Sequence, residues 1–144
     1  MKNLFITILK DAIISEVALT SAYAGVKLGE DFERVATVDK DSRLLSRFWL
    51  EMCGRVSDKL KSLISSQSLS ESSLQLQLSL SGSNDESFND SVESDLFSAI
   101  SMGVTARWFR YSLPEKAAEW ETEAERLLTS AFSKLCYRLK PQRP

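Results

Sequence analysis

PEKAAEWETEAERLLTSAFSKLCYRLKPQRP, residues 114–144, is the stretch on which the fold class turns. Its apolar residues Ala117, Trp120, Ala124, Leu127, Leu128, Ala131, Leu135 and Leu139 recur in steps of three and four, which keeps one stripe on one side of an α-helix. Pro114 suits the first helical turn, where its missing N–H is not needed. Glu115, Glu119, Glu121, Glu123 and Glu125 crowd the N-terminal half and Lys134, Arg138 and Lys140 the C-terminal end, the polarity that complements the helix dipole. Such a helix, Pro114 to Leu139, spans roughly 40 Å at ~1.5 Å per residue. A stripe of that length needs apolar partners.

Working outward, 144 residues fit one domain that can bury a sizeable core. A hydrophobic fraction of 43% and a charged fraction of 26% are ordinary for a globular chain, and a net charge of −2 gives no global pull toward nucleic acid or anionic membrane. The chain has no histidine. That excludes Ser-His-Asp and Cys-His nucleophiles and removes the commonest general base and zinc ligand. Cys53 and Cys136 are isolated and read as small apolar residues rather than as a metal site or disulfide framework. The five glycines are scattered, so no phosphate-binding loop is present. The expectation is therefore a protein with no catalytic residues, no cofactor and no metal.

The N-terminal Leu4-Phe5-Ile6-Thr7-Ile8-Leu9, with Ala22-Tyr23-Ala24 further on, imitates a secretory signal, but Lys10-Asp11 cuts the apolar run to six residues. The same charges exclude a membrane-spanning helix. At helical period the segment predicts a broad-faced first helix over about 2–24. Gly25 to Val38 reads as a connection, with a short turn at Asp31–Val35. A second helix, capped by Asp39 or Asp41, runs to about Ser65 on the stripe Leu44, Leu45, Phe48, Trp49, Met52, Val56, Leu60, Leu63 and Ile64. Arg47, Glu51 and Arg55 lie opposite, as a solvated face.

Residues 65–90 form a serine-rich insertion that contains the alternation Leu74-Gln75-Leu76-Gln77-Leu78-Ser79-Leu80. Strict alternation predicts a strand with a leucine face, followed by a turn at Gly82–Asp85 and a returning strand over Glu86–Asn89. A lone hairpin is marginal in water, so the leucine face must lie on the helices or meet a strand of another chain. The competing reading is a flexible loop with one short strand. A third helix, capped by Asp90 or Ser91, carries Val92, Leu96, Ala99, Ile100, Gly103, Val104, Trp108 and Tyr111, and Gly103 predicts close approach of a neighbouring helix. Arg107 and Arg110 are too few for a phosphate track. Ser112-Leu113-Pro114 makes the third and fourth helices an antiparallel αα-hairpin. The expected fold is mainly α: a single-domain four-helix bundle over 1–144 with a strand or hairpin inserted between the second and third helices. Its expected core is Leu9, Ile13, Val17, Phe48, Met52, Val56, Ile100, Val104, Trp108, Trp120, Leu127, Ala131 and Leu135.

Trp108-Phe109 closing the third helix, Ala117, Ala118 and Trp120 early in the fourth, and the ending Leu135-Cys136-Tyr137-Arg138-Leu139-Lys140-Pro141-Gln142-Arg143-Pro144 resemble the helical head-to-tail connector (adaptor) proteins of tailed bacteriophages. The likeness covers the chain as helix order and only its last third as residues. It implies a structural virion subunit at the head-to-tail interface, assembled in the host cytoplasm. Such a subunit associates into a ring, a dodecamer in that family, and binds portal and tail or neck proteins. DNA passes through the ring without sequence-specific contact, and no membrane is involved. The C-terminal tail, 140–144, would be the docking element.

The residues themselves favour an extended end there, because Pro141 and Pro144 stop a helix and bias Lys140 and Arg143 away from helical backbone. Candidate partner-binding residues are then Arg138, Lys140, Pro141, Arg143 and Pro144, the basic ones pairing with carboxylates. Leu74, Leu76, Leu78 and Leu80 are the second candidate set. The alternative function is a small soluble helical binding or regulatory module, monomer or dimer, with a protein partner.

Overall fold

A computed structural model describes residues 2–28 and 41–138. In chain order these form β1 (Lys2–Leu9), α1 (Lys10–Leu28), α2 (Ser42–Lys59), β2 (Ile64–Leu69), β3 (Ser73–Leu80), a 3-10 turn (Glu86–Phe88), α3 (Asn89–Phe109) and α4 (Pro114–Cys136). The protein is a mixed α and β fold, not the mainly helical bundle expected from periodicity. Three antiparallel strands in the order β1-β3-β2 form one sheet, with the N-terminal strand at one edge.

Two corrections account for the difference. Lys2–Leu9 is a strand rather than the first turns of a helix, and it pairs with β3 over its whole length, from Lys2 opposite Leu80 to Leu9 opposite Ser73. The apolar run Leu4–Leu9 is too short and too uniform for period to separate helix from strand, and Ile6-Thr7-Ile8 is β-branched, which favours the pleat. A leucine ladder on β3 needed an apolar neighbour, and Leu4, Ile6 and Ile8 supply it. Helix α1 starts only at Lys10 and continues through Gly25, which does not end it.

The second correction concerns the partner of the alternating stretch. Glu86–Phe88 is a 3-10 turn, with Asp85 accepting from the Ser87 N–H, and the strand that pairs with β3 on its far side is β2. Serines build the connection between them. Ser70 Oγ accepts from the N–H groups of Ser72 and Ser73 at 3.2 and 3.1 Å, and the Ser70 N–H closes on the Ser73 carbonyl at 3.0 Å. The connection expected from Gly25 to Val38 lies largely outside the described residues.

One core joins the two layers. Leu74, Leu76, Leu78 and Leu80 are buried with Ile6 and Ile8 against the helices. Helix α3 is the centre of the packing. It touches α1, α2, α4 and β1, and it is buried around most of its circumference, including Ser101 and Thr105. Those hydroxyls return hydrogen bonds to the carbonyls of Phe97 and Ser101, which satisfies them inside the helix. Gly103 faces the Met52 side chain of α2, which occupies the space a Cβ would need. Leu113 leads into α4, and Phe109 and Trp120 close that hairpin with ring centroids 4.9 Å apart.

Within the expected core, Leu9 is 56% exposed, because it alternates onto the far face of β1. Trp49 and Phe109, each 0% exposed, fill the deep positions beside the half-buried Phe48 and Trp108.

Candidate docking surface

The Lys10 N–H donates to the Ser72 carbonyl at 2.9 Å, which continues the β1–β3 register by one pair. In an antiparallel ladder bonded and unbonded pairs alternate. The bonded residues of β1 are therefore Lys2, Leu4, Ile6 and Ile8, and the N–H and C=O groups of Asn3, Phe5, Thr7 and Leu9 point away from β3. Two bonds on the other side of β3 have the matching phase, Ser79 N–H to Leu63 C=O at 2.8 Å and Ser70 N–H to Ser73 C=O at 3.0 Å.

Among the described residues no strand pairs with that outward side of β1. The edge is eight residues long, carries no proline and has no bulge. Its outer face presents Phe5, 69% exposed, and Leu9, 56% exposed. Their neighbours across β3 are the polar Gln77 and Ser73. The opposite edge is built differently. Strand β2 has six residues, an irregularity between Ile64 and Ser66, and serines whose hydroxyls bond to Gln77. Short, bulged, polar edges resist pairing, and long regular apolar ones invite it.

The residues singled out from sequence are placed elsewhere. Leu74, Leu76, Leu78 and Leu80 all face the core, with at most 2% exposure, and are spent on packing inside the chain. Arg138 is exposed and bridges to Asn84 of the same chain. Asn84 is buried and donates from Nδ2 to the Leu135 carbonyl at 2.9 Å, while the Asp85 N–H reaches the Tyr137 carbonyl at 3.4 Å. Phe88 packs edge-on to Tyr137 with centroids 5.2 Å apart. The end of α4 is thus tied to the turn before α3. Lys140, Pro141, Arg143 and Pro144 lie outside the described residues. Lys134, another basic residue of that end, is held internally by Asp95 at 2.8 Å.

The charged helix surfaces are also joined to each other. Arg107, 10% exposed, donates from Nε to Glu51 at 2.9 Å and from Nη1 to the Gly103 carbonyl at 3.1 Å, with Glu121 at 3.3 Å. Arg55 pairs with Glu121 and Glu125, and Arg47 with Glu51. The chain of ion pairs therefore ties α2, α3 and α4 together, rather than leaving Arg47, Glu51 and Arg55 as a merely solvated face. Burial pushes the Cys53 thiol up to about 12, so it stays protonated at neutral pH. Among the described residues no group of three or more Cys, Asp or Glu side chains is placed to hold a metal ion. No helix there is long and apolar enough to cross a membrane.

The β1 edge was legible only in the alternation Phe5, Thr7, Leu9 against Leu4, Ile6, Ile8, which competes with a helical period in the same run. No family model, curated protein or solved structure matches the chain.

Proposed function

We propose that the chain is a non-catalytic docking module that works by contact with another protein, through the free edge and outer face of β1. The observation that carries this reading is the side of β1 that no strand pairs with among the described residues, with outward N–H and C=O groups on Asn3, Phe5, Thr7 and Leu9. Beside them lie two exposed apolar side chains, Phe5 and Leu9. Strand addition to such an edge supplies affinity through main-chain hydrogen bonds and selectivity through alternate side chains.

The phage connector is the more specific form of the proposal: a ring subunit between portal and tail, docked by its C-terminal end. It is supported by the resemblance of the last third of the chain and by the order of the four helices, but the three-stranded sheet is no part of the all-helical subunit that the resemblance implies. A closed ring needs head-to-tail contacts between unlike surfaces, whereas an open strand edge pairs as readily with itself. The geometry favours the small binding module.

Particle mass in solution together with amide exchange in β1 tests the reading. A docking module shows the Phe5, Thr7 and Leu9 amides unprotected in the monomer and protected in its complex. Protection of those amides in a chain of 16.2 kDa means that the edge is already covered, and overturns the proposal. A ring-sized particle whose β1 amides stay unprotected moves the contact elsewhere and favours the connector.

A further inference from the structure

We infer that the partner of the β1 edge is a second copy of this chain, paired antiparallel about a two-fold axis through Thr7; the inference rests on the docking reading above. Side chains on β1 alternate between the faces, so a pair that keeps outer residues on the outer face must match odd positions with odd ones. An identical antiparallel strand meets this condition in three central registers. Hydrogen-bonding phase allows all three, because the outward groups belong to the odd residues in each copy.

Side-chain chemistry selects among them. A register centred on Phe5 sets Phe5 against its copy and leaves Leu9 beyond the end of the partner strand. One centred on Ile6 sets Lys2 opposite Lys10, and like charges directly opposed are destabilising. Centring on Thr7 places Phe5 beside Leu9 of the other copy and Leu9 beside its Phe5. Both exposed apolar side chains of β1 are then covered, each by its counterpart from the second copy. Thr7 meets Thr7, a favourable cross-strand pair, and Ile6 meets Ile8 on the inner face.

The charges also fit this register. Lys2 is directed to its own chain, with Nζ 3.0 Å from the Asn84 carbonyl and 3.5 Å from Glu86, and it lies outside the overlap. Lys10 is turned to Ser46 at 2.5 Å. No carboxylate lies on β1 to be desolvated. Three bonded pairs result, each exchanging two hydrogen bonds. The two sheets become one, running β2-β3-β1 and then β1-β3-β2 of the second copy.

Cysteine trapping and sedimentation equilibrium test this. In a Cys136→Ser background, which removes the exposed native thiol, Thr7→Cys should form a disulfide-linked dimer under mild oxidation. Cα separations in facing strand pairs of roughly 5 Å suit that bond. Phe5→Cys in the same background should not. Efficient linkage through Phe5→Cys and not Thr7→Cys overturns the register. Thr7→Pro removes an N–H that points outward, so it leaves the β1–β3 ladder intact. It should keep the wild-type circular dichroism spectrum and weaken the dimer at least tenfold. A wild-type mass of one chain at every concentration, with β1 amides exchanging freely, overturns the two-fold dimer and leaves docking to a different protein standing. The same mass with those amides protected overturns both.

Discussion

Lys10 and Ser72 are joined by one backbone hydrogen bond of 2.9 Å at the point where β1 becomes α1, and that bond sets which half of β1 faces the free edge. It has a direct energetic corollary, since the same alternation sends Ile6 and Ile8 into the core and Phe5 and Leu9 out of it. Leu76→Ala, at a position 2% exposed, should cost about 2–5 kcal/mol through lost transfer and a residual cavity. Leu9→Ala should change monomer stability by less than about 0.5 kcal/mol, the range of surface positions. Denaturant titration measures both, and a Leu9→Ala loss as large as that of Leu76→Ala would put Leu9 back in a helical core.

Gly103 of α3 leaves the space of a Cβ to the Met52 side chain of α2. Gly103→Ala gains up to about 1 kcal/mol of helix propensity. It also drives a Cβ into the Met52 side chain, and overpacking costs about 1–3 kcal/mol. Crowding should win, but Met52 is flexible, so the net loss should be modest. Met52→Ala in the same chain should turn Gly103→Ala from destabilising to neutral or stabilising, a coupling that a double-mutant cycle reads directly. Gly103→Ala that stabilises the wild-type background contradicts the contact.

Arg107 is nine-tenths buried and serves two glutamates at once. Losing it does not strand them, because Glu51 keeps Arg47 at 3.5 Å and Glu121 keeps Arg55. Arg107→Met should therefore cost about 1–3 kcal/mol, as for charge-assisted hydrogen bonds, rather than the larger penalty of an uncompensated buried charge. Chemical denaturation checks this, and an unchanged midpoint would make the network ornamental.

Asp85 accepts hydrogen bonds from the side chain and then the backbone of Ser87, with a smaller contribution from Lys2, and these hold its carboxyl below the ordinary value of 3.8. A depressed carboxyl stabilises the fold above the unfolded value, and that stability is lost as pH falls through the folded one. Asp85→Asn should thus lower the melting temperature at pH 6 and lose its effect progressively as the pH falls through and below the ordinary carboxyl range. A difference between variant and wild type that persists at low pH contradicts the assignment.

How much of this was readable beforehand depends on the residue pattern. The stripe of α4 and the alternation of β3 each match one period over many residues, and both elements form, although α4 stops at Cys136 rather than running to Leu139, because Tyr137 turns extended and Arg138 bridges to Asn84. Leu4–Leu9 does not, because six consecutive apolar or β-branched residues fit a helix flank and a two-faced strand equally well. The choice is made by β3, some seventy positions away, whose leucines need a neighbour. The buried Arg107 carries no local signal for its ion pairs, since both carboxylate partners, Glu51 and Glu121, come from other helices. The docking edge was hidden for the same reason: an edge is defined by what does not pair with it.

Residue-resolved amide hydrogen exchange of β1 in dilute, monomeric protein tests the central claim most directly. The N–H groups of Leu4, Ile6 and Ile8 should exchange slowly and those of Phe5, Thr7 and Leu9 quickly, with the fast set gaining protection as concentration rises. Uniform protection in the monomer, or a helical pattern that makes no distinction between odd and even positions, contradicts an open β1 edge.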